Sequence, residues 1–329
     1  MGMAEWYVLR PLGPALFRWK GEFSPQFRGP RVLGLSEPFP LPSTIVGALA
    51  ALAIASMGMD PAGVRDPLDV LGEGFDLWGP ILRAGDGQRP VLAVHRYPGS
   101  IAILDEVDEE AIRAGVCKEV ISCDHDRPLC VVSALEEGAL LGRVGVELDV
   151  SGKTAIEGRL YEAAMFDARR FAEIARSGLK ATGSGAGYVI RIEGGPGLTT
   201  PAIVRFGGEG GLAAVERIDG SGMEALVPRE GDDGKFILAS PAPLGEREFL
   251  ELARGELELV GALRIAECMH SAHLGSIGAG YDMARNARRP VRPALMPGSI
   301  LVGSAPGPRL GAVPGWGSLV RVPGRGGPR

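Results

Sequence analysis

The stretch between residues 141 and 162 alternates apolar and polar side chains at a period of two, and no other stretch restricts the fold as strongly. Its apolar positions include Val144, Val146, Leu148 and Leu160. The turn signal Ser151-Gly152-Lys153 separates the two halves of the stretch. Alternation on both sides of such a turn predicts a β-hairpin with one buried face. We therefore expect these four apolar side chains to face the core.

Short strand patterns outnumber helix patterns along the chain. The strand patterns cover residues 6–12, 91–94, 131–132, 188–192, 213–218, 235–241, 257–266 and 300–302. The helix patterns cover residues 45–57, 105–114, 166–179 and 246–254. Helices do not alternate regularly with the strands, as they would in a doubly wound parallel sheet. The pattern predicts an α+β fold.

The first helix pattern, residues 45–57, is apolar on every side, and Pro42, Ser43 and Thr44 come directly before it. A Ser or Thr hydroxyl can accept a hydrogen bond from a backbone N–H in the first helical turn, so Ser43 or Thr44 is expected to be the N-cap. A helix that is apolar all round is expected to be buried rather than amphipathic.

An acidic, glycine-rich stretch from residue 219 to residue 234 is the best candidate for a linker. Strand and helix patterns restart after it, so the chain is expected to form two units, 1–222 and 235–329. The chain has 329 residues, 45% of them hydrophobic, which is enough for two ordinary cores.

Net charge limits the classes of partner. The formal net charge is −5, and the sequence pI is near 5.6. A free-standing nucleic-acid binder is usually basic, so the acidic net charge argues against one, although a local basic groove inside a larger assembly is compatible with an acidic net charge.

The longest uncharged stretch, residues 38–59, begins with several prolines and leaves too few apolar residues to span a bilayer. We expect a cytoplasmic protein with no membrane contact and no secretory signal peptide.

Two groups of basic residues are candidates for RNA contact. The first group is Arg18, Lys20, Arg28 and Arg31, and Phe17, Trp19, Phe23 and Phe27 are interleaved with it. Cations hold phosphates and aromatic rings stack on bases in single-stranded RNA recognition. The second group is Arg285, Arg288, Arg289 and Arg292. The alternative is that the arginines are merely solvated and that the aromatic side chains belong to the core.

The glycine loop from residue 182 to residue 187 does not match a phosphate loop or a dinucleotide-binding fingerprint, because its spacing is wrong and a strand follows it. Its backbone N–H groups could still approach a phosphate, but a plain turn is the preferred interpretation.

Cysteines and histidines offer two further alternatives. Cys117, Cys123, His125 and Cys130 lie close together, but without the paired knuckle spacing of a zinc site. Buried structural cysteines are therefore preferred to a metal centre, and neither a metal nor another cofactor is expected. His270 and His273 could serve as a general acid and base, but their i, i+3 spacing is weak evidence for catalysis.

Four segments occur in a characteristic order. Phe17-Arg18 precedes the helix introduced by Pro42-Ser43-Thr44, the 141–162 hairpin follows, then the turn Phe206-Gly207-Gly208-Glu209-Gly210, and last the segments 236–242 and 278–302. Together they resemble the RAMP superfamily of CRISPR proteins, and they are most similar to the third subunit of the type III-B Cmr complex, in the Cas-five-like group. Gly211-Leu212 stands where that family usually has an arginine, and Tyr281 stands where it usually has a tryptophan.

The resemblance implies two tandem ferredoxin-like (RRM-like) domains with inserted loops and a β-hairpin. It implies a non-catalytic subunit that binds the 5′ repeat tag of the crRNA and docks the Cas-ten-type large subunit, beside other RAMP subunits and the target RNA held by the complex. The alternative is a RAMP endoribonuclease that cuts repeat RNA with His270 or His273. The expected RNA contacts are Arg18, Lys20, Arg28, Arg31, Lys153, Gly207, Gly208, Gly278, Gly280, Arg288, Arg289 and Arg292.

Overall fold

The structure is a computed structural model of the chain. It describes residues 4–19, 33–122, 128–134, 138–148, 155–254, 258–259, 263–268, 271–278, 281–282, 287–288 and 290–322.

Strands outnumber helices in these residues. The helices are α1 (Pro42–Met57), α2 (Pro67–Leu71), α3 (Glu109–Arg113), α4 (Ala168–Gly178) and α5 (Glu246–Ala253). The strands are β1 (Glu5–Pro11), β2 (Leu33–Leu35), β3 (Asp76–Ala84), β4 (Val91–Arg96), β5 (Ser100–Ile103), β6 (Glu119–Ile121), β7 (Leu129–Ser133), β8 (Leu140–Leu148), β9 (Ala155–Phe166), β10 (Ala186–Glu193), β11 (Ala202–Arg205), β12 (Leu212–Ile218), β13 (Asp233–Leu238), β14 (Ala242–Pro243), β15 (Glu258–Leu259), β16 (Leu263–Ile265), β17 (Leu274–Gly278), β18 (Tyr281–Asp282), β19 (Ala287–Arg288), β20 (Val291–Leu295), β21 (Ile300–Ser304) and β22 (Leu319–Arg321).

The strands form one large sheet and several small ones. The large sheet has nine strands in the order β11-β12-β1-β10-β3-β4-β5-β7-β6, all paired antiparallel. A five-stranded sheet, β15-β16-β21-β13-β22, is built from the C-terminal part of the chain. Among the described pairs only β2 and β9 run parallel. The predicted α+β class is confirmed.

Both faces of the nine-stranded sheet are covered. The alternation of side chains along each strand decides which face a side chain points to. Tyr7 and Leu9 point into a core shared with α1 and α4, which contribute Leu49 and Phe171. Trp6 and the other even-numbered positions of β1 point to the opposite face, since successive strand residues alternate between faces. The helical face is the core that positions the candidate site.

The opposite face packs on the C-terminal part of the chain. Trp6 and Trp78 share a cluster with Ile237, Ile300 and Val320. The indole N–H of Trp78 donates to the Leu319 carbonyl at 2.6 Å. One apolar cluster therefore joins the large sheet to the five-stranded sheet.

The predicted linker is packed rather than loose. Met223, Leu226 and Val227, within the acidic stretch 219–234, are buried, and β13 already begins at Asp233. Their apolar side chains join the shared cluster, so burial outweighs the acidic, glycine-rich composition that suggested an exposed connection. The division into units 1–222 and 235–329 stays a prediction.

The predicted hairpin is confirmed as β8 and β9, with Val144 opposite Glu162 and Val146 opposite Leu160. The expectation that Val144 faces the core is wrong, because its side chain is 69% exposed. Among the hairpin side chains that the structure describes, Ala163, Met165 and Phe166 at its base are buried. The side chains of Val146, Leu148 and Leu160 lie outside the described residues.

Helix α1 begins earlier than the sequence predicts. Leu41 is its N-cap, Pro42 is the first helical residue, and no side chain caps the end. Proline suits this position because the first helical N–H has no partner within the helix. The predicted Ser43 or Thr44 cap is therefore wrong. The helix is also not buried on every side, since Ala51, Ala55 and Met57 are exposed.

Other elements differ in extent. The expected helix at 105–114 is the short α3, and the expected strand at 257–266 is divided into β15 and β16, which pair with each other. The sequence patterns do not predict helix α2 or eleven of the strands: β2, β3, β5, β6, β11, β14, β17, β18, β19, β20 and β22. No helix among the described residues is long and apolar enough to cross a membrane.

Candidate nucleic-acid interface

Three segments that are distant in sequence meet at a groove of about 230 Å³. The groove is lined by Leu16, Phe17, Arg18, Trp19, Leu41, Thr44, Gly207 and Gly208. The Gly208 N–H donates to the Leu16 carbonyl at 2.9 Å. That bond joins the segment after β1 to the turn between β11 and β12. The groove therefore brings together three of the predicted RNA contacts, Arg18, Gly207 and Gly208.

Arg18 is exposed between two buried aromatic residues, Phe17 and Trp19. The Phe17 ring packs edge-on against Tyr188 and Phe206, with ring centroids 5.6 and 5.3 Å apart. The Trp19 indole N–H donates to the Phe39 carbonyl at 2.7 Å. Extended backbone sends alternate side chains to opposite sides. Phe17 and Trp19 are therefore core residues rather than surfaces for stacked bases, and Arg18 is directed to solvent.

The turn from Phe206 to Gly211 is closed by a hydrogen bond from the Phe206 N–H to the Gly211 carbonyl at 2.8 Å. Gly207 has a φ of +82°, and a Cβ there would lie 3.1 Å from both the Leu16 carbonyl oxygen and the Phe17 ring. Glycine is required on both grounds. Because the Gly208 N–H is already bonded to Leu16, a phosphate contact from this turn would need another backbone group.

The N-terminal end of α1 opens onto the groove through Leu41 and Thr44. Aligned peptide dipoles leave a partial positive charge at the start of a helix, and phosphate groups bind readily there. This end and the Arg18 guanidinium give the groove two sources of positive potential. Sequence reasoning assigned Thr44 only a capping role and missed its place in the groove.

A largely buried polar pair lies beside Trp19, one of the residues that line the groove. His95 Nε2 is 3.0 Å from Glu37 Oε2, and the Gly99 N–H donates to the same oxygen at 2.8 Å. The His95 ring stacks on Phe39, at 5.4 Å between centroids, and meets the edge of Trp19 at 4.4 Å. The two bonds join the segment before α1 to β4 and to the turn after β4. No sequence signal points to it, because its members are 58 positions apart.

The second basic group lies elsewhere. Arg292 is exposed on β20, opposite Ile277 of β17, and Gly278 is the last residue of β17. Neither residue lines the groove. Arg288 lies on β19, and its side chain is outside the described residues. Six further predicted contacts also lie outside the described residues: Lys20, Arg28, Arg31, Lys153, Gly280 and Arg289.

The glycine loop 182–187 packs on the exposed carboxylate of Asp86. The Ser184 N–H donates to Asp86 Oδ1 at 3.1 Å, and hydrogen bonds from the Gly185 and Ser184 backbone, together with Arg10, hold the pKa of Asp86 below its usual value. A Cβ at Gly183 would lie 2.0 Å from Asp86 Oδ1. Close packing therefore explains the glycines, in agreement with the preferred interpretation as a turn.

The cysteine cluster contains a disulfide between Cys117 and Cys130, with their Cα atoms 5.2 Å apart. These two sulfurs are therefore not thiolate ligands, which favours the structural interpretation. Cys123 and His125 lie outside the described residues. Cys268 is also disulfide-bonded, so it offers no thiol to His273. His270 lies outside the described residues.

The chain is similar in sequence to known CRISPR proteins. Residues 141–312 match the sequence model of the family described as CRISPR-associated protein (Cas_Cmr3), which covers more than half of the chain. The CRISPR system CMR subunit Cmr3 of Saccharolobus solfataricus is 23% identical over 310 residues, covering 91% of this chain and 86% of that protein.

Solved structures of type III-B Cmr-beta show the same fold. One chain of that complex bound to cognate target RNA matches with a TM-score of 0.53 at 19% identity. A chain of the complex bound to cognate target RNA and AMPPnP matches with a TM-score of 0.52 at 18% identity. Each match covers 91% of this chain and 86% of the other.

Proposed function

The chain belongs to the CRISPR-associated Cmr3 family, and we propose that it is a non-catalytic subunit of a type III-B Cmr effector complex that holds the 5′ repeat tag of the crRNA. The observation that carries the proposal is the groove, where Arg18, the Gly207-Gly208 turn and the start of α1 converge. A guanidinium and a helix N-terminus are both suited to RNA phosphates.

The partners follow from the same family. The chain docks the Cas-ten-type large subunit and other RAMP subunits, in a cytoplasmic complex that holds target RNA. Its relatives support this assignment, since one is named a subunit of the CMR system and the matched structures contain target RNA. A net charge of −5 agrees with it, because a subunit can be acidic where it meets proteins and basic only where RNA lies.

Two finer features of the architecture belong to the proposal. The units 1–222 and 235–329 are each built on a ferredoxin-like fold, with β8 and β9 as an inserted hairpin. The separate five-stranded sheet of the C-terminal part supports the second unit. The exposed residues Arg143 and Val144, near the middle of β8, support a hairpin that reaches away from the body.

A non-catalytic role is supported by what surrounds the candidate acid–base residues. Cys268 is in a disulfide, and Glu267 pairs with Arg264 at 2.7 Å. The endoribonuclease alternative is tested directly by incubating the purified protein with repeat RNA. Specific cutting that His273→Ala or His270→Ala abolishes would replace the scaffold proposal with the enzymatic one.

The tag-binding proposal is tested in the assembled complex with crRNA that carries photoreactive nucleotides in its 5′ tag. Arg18→Ala should lower crosslinking to this subunit about fivefold, equivalent to about 1 kcal/mol. It should also reduce the slope of log affinity against log salt concentration by about 0.7, as expected when one phosphate contact to a single strand is lost.

The matched control is Arg113→Ala, because Arg113 is an exposed arginine on α3, 78% accessible and paired with Glu109. It should leave crosslinking unchanged. Equal crosslinking in the wild type and in Arg18→Ala would remove the groove from the RNA path.

A further inference from the structure

The C-terminal half of α1 and the segment after it expose apolar side chains that nothing in the described residues covers. α1 has apolar residues on every side, yet Ala51, Ala55 and Met57 are exposed. Met59 follows the helix, and Leu68 lies on α2, which packs against α1. Met57 and Met59 are 47% and 43% exposed. Exposed methionines are typical of binding surfaces, because the flexible thioether adapts to a partner.

Acidic groups surround this apolar surface. Asp60, Asp66, Asp69 and Glu73 are all exposed, and Arg65 is the one basic residue between positions 55 and 80. Within the part of the chain that the structure describes, none of these four carboxylates forms an ion pair. The last turn of α1 carries no basic side chain, so the partial negative charge of the helix C-terminus adds to theirs.

We infer that this surface, the α1–α2 patch, docks a protein partner that presents lysine or arginine side chains around an apolar anchor. The α1–α2 patch consists of Ala51, Ala55, Met57, Met59 and Leu68 with Asp60, Asp66, Asp69 and Glu73. The inference rests on the proposed function in that the partner is another subunit of the effector complex. The excess of carboxylates repels RNA, and a cationic protein surface complements it.

The α1–α2 patch is separate from the groove along the same helix. The groove is at the N-terminal end of α1, where the helix is electropositive, and the patch is at its C-terminal end, where the helix is electronegative. A helix of 16 residues is about 24 Å long. One helix can therefore hold RNA at one end and a basic subunit at the other.

Site-specific crosslinking tests the inference in the complete complex, co-expressed with its crRNA. A photoreactive amino acid replaces Met57, and the same amino acid replaces Ile203 as the control. Ile203 is 66% exposed on the edge strand β11, outside the patch. The expected product is a crosslink from position 57 to a lysine- or arginine-bearing peptide of another subunit. A crosslink only to RNA, only to a second copy of this chain, or to nothing overturns the inference.

Substitutions give the second readout. Met57→Ser with Leu68→Ser should lower co-purification of the other subunits at least about tenfold, as expected when the apolar anchors of an interface are lost. Glu73→Lys should also lower co-purification of the other subunits, and Ile203→Ser should leave it unchanged.

The two proposals fail differently. Patch variants that assemble as well as the wild type overturn this inference and leave the proposed function standing. A wild-type chain that joins no complex overturns both.

Discussion

Arg18 shows how neighbouring residues decide the role of a side chain. Its pattern with Phe17 and Trp19 suggested an RNA surface of rings and cations, but the rings pack inward and only the guanidinium is left outside. The role of Tyr188 is likewise decided by the residues around it. It is fully buried, and its hydroxyl donates to the Pro38 carbonyl at 2.6 Å. Burial also raises the pKa of Tyr188 well above its usual value, so it stays a donor.

Tyr188→Phe should lower the free energy of unfolding by about 1–2 kcal/mol, because it leaves a buried carbonyl without its donor. Urea denaturation measures the change. Tyr7→Phe is the matched control, since the Tyr7 hydroxyl donates to the partly exposed carboxylate of Glu5, which water can solvate in its place. An equal loss in both variants would show that burial of the acceptor does not matter.

Asp86 predicts a pH dependence. Backbone hydrogen bonds hold its pKa below the unfolded value, so its ionised form stabilises the fold above the unfolded pKa of about 3.9, and this contribution is lost as the pH falls through the folded pKa. Asp86→Asn should lower Tm at pH 7 by about 1–2 °C, and the difference from the wild type should vanish in acid.

The control is Glu230→Gln, at another exposed carboxylate. It should leave Tm at pH 7 unchanged. A difference between Asp86→Asn and the wild type that stays constant down to pH 2 would contradict the role of the Asp86 charge.

At the scale of elements, edge position explains the disulfide. Strand β6 has three residues, lies at the end of the nine-stranded sheet and pairs only with β7 among the described strands. The Cys117–Cys130 bond ties the residues just before β6 to β7 itself. It therefore anchors Glu119, whose carboxylate is 3.3 Å from the buried guanidinium of Arg96.

Removing this bond with Cys117→Ala and Cys130→Ala should lower the free energy of unfolding by about 3 kcal/mol, as expected for a closed loop of this size. Urea denaturation without reductant measures it. Hydrogen exchange should be faster in β6 and unchanged in β1, at the centre of the other half of the sheet. Unchanged exchange in β6 would show that strand pairing alone holds the edge.

At the scale of the whole molecule, the shared cluster under the nine-stranded sheet joins the two parts of the chain. Ile237, Ile300 and Val320 come from beyond the acidic stretch and pack on Trp6 and Trp78. The Gly315 N–H also donates to the Leu77 carbonyl at 2.9 Å. We therefore expect the chain to unfold in one transition, although the nine-stranded and five-stranded sheets are separate.

Ile237→Ala tests this coupling, because Ile237 is fully buried in the shared cluster but belongs to the C-terminal part. It should lower the free energy of unfolding by about 2–5 kcal/mol, and it should shift the transition seen by tryptophan fluorescence, which reports mainly Trp6, Trp19 and Trp78 of the N-terminal part. Leu250→Ala, at a side chain that is 52% exposed on α5, should change neither the free energy of unfolding nor the fluorescence transition. Two separate transitions in Ile237→Ala would show that the parts unfold independently.

Local sequence patterns predicted much of the fold. The hairpin, the α+β class, β10, β12, α4 and α5 were all predicted, because alternation and helical periodicity are properties of short stretches. The unpredicted β3 has Gly79-Pro80 within it, which conceals a strand in a local reading. For the groove, the sequence indicated Arg18 through its pattern of basic and aromatic residues, and Gly207 and Gly208 through a family resemblance, without showing that the three residues meet.

By itself, the sequence determined the class of fold, the family and the groups of basic residues that are candidates for RNA contact, since each depends on residue types and their spacing. The tertiary structure alone decided that Phe17 and Trp19 are core residues and that Val144 is exposed. It also left Ala51, Ala55 and Met57 of α1 exposed among the residues that the structure describes. These outcomes depend on which surfaces are brought together by contacts between residues distant in sequence, and burial follows from those contacts rather than from the hydrophobicity of a residue.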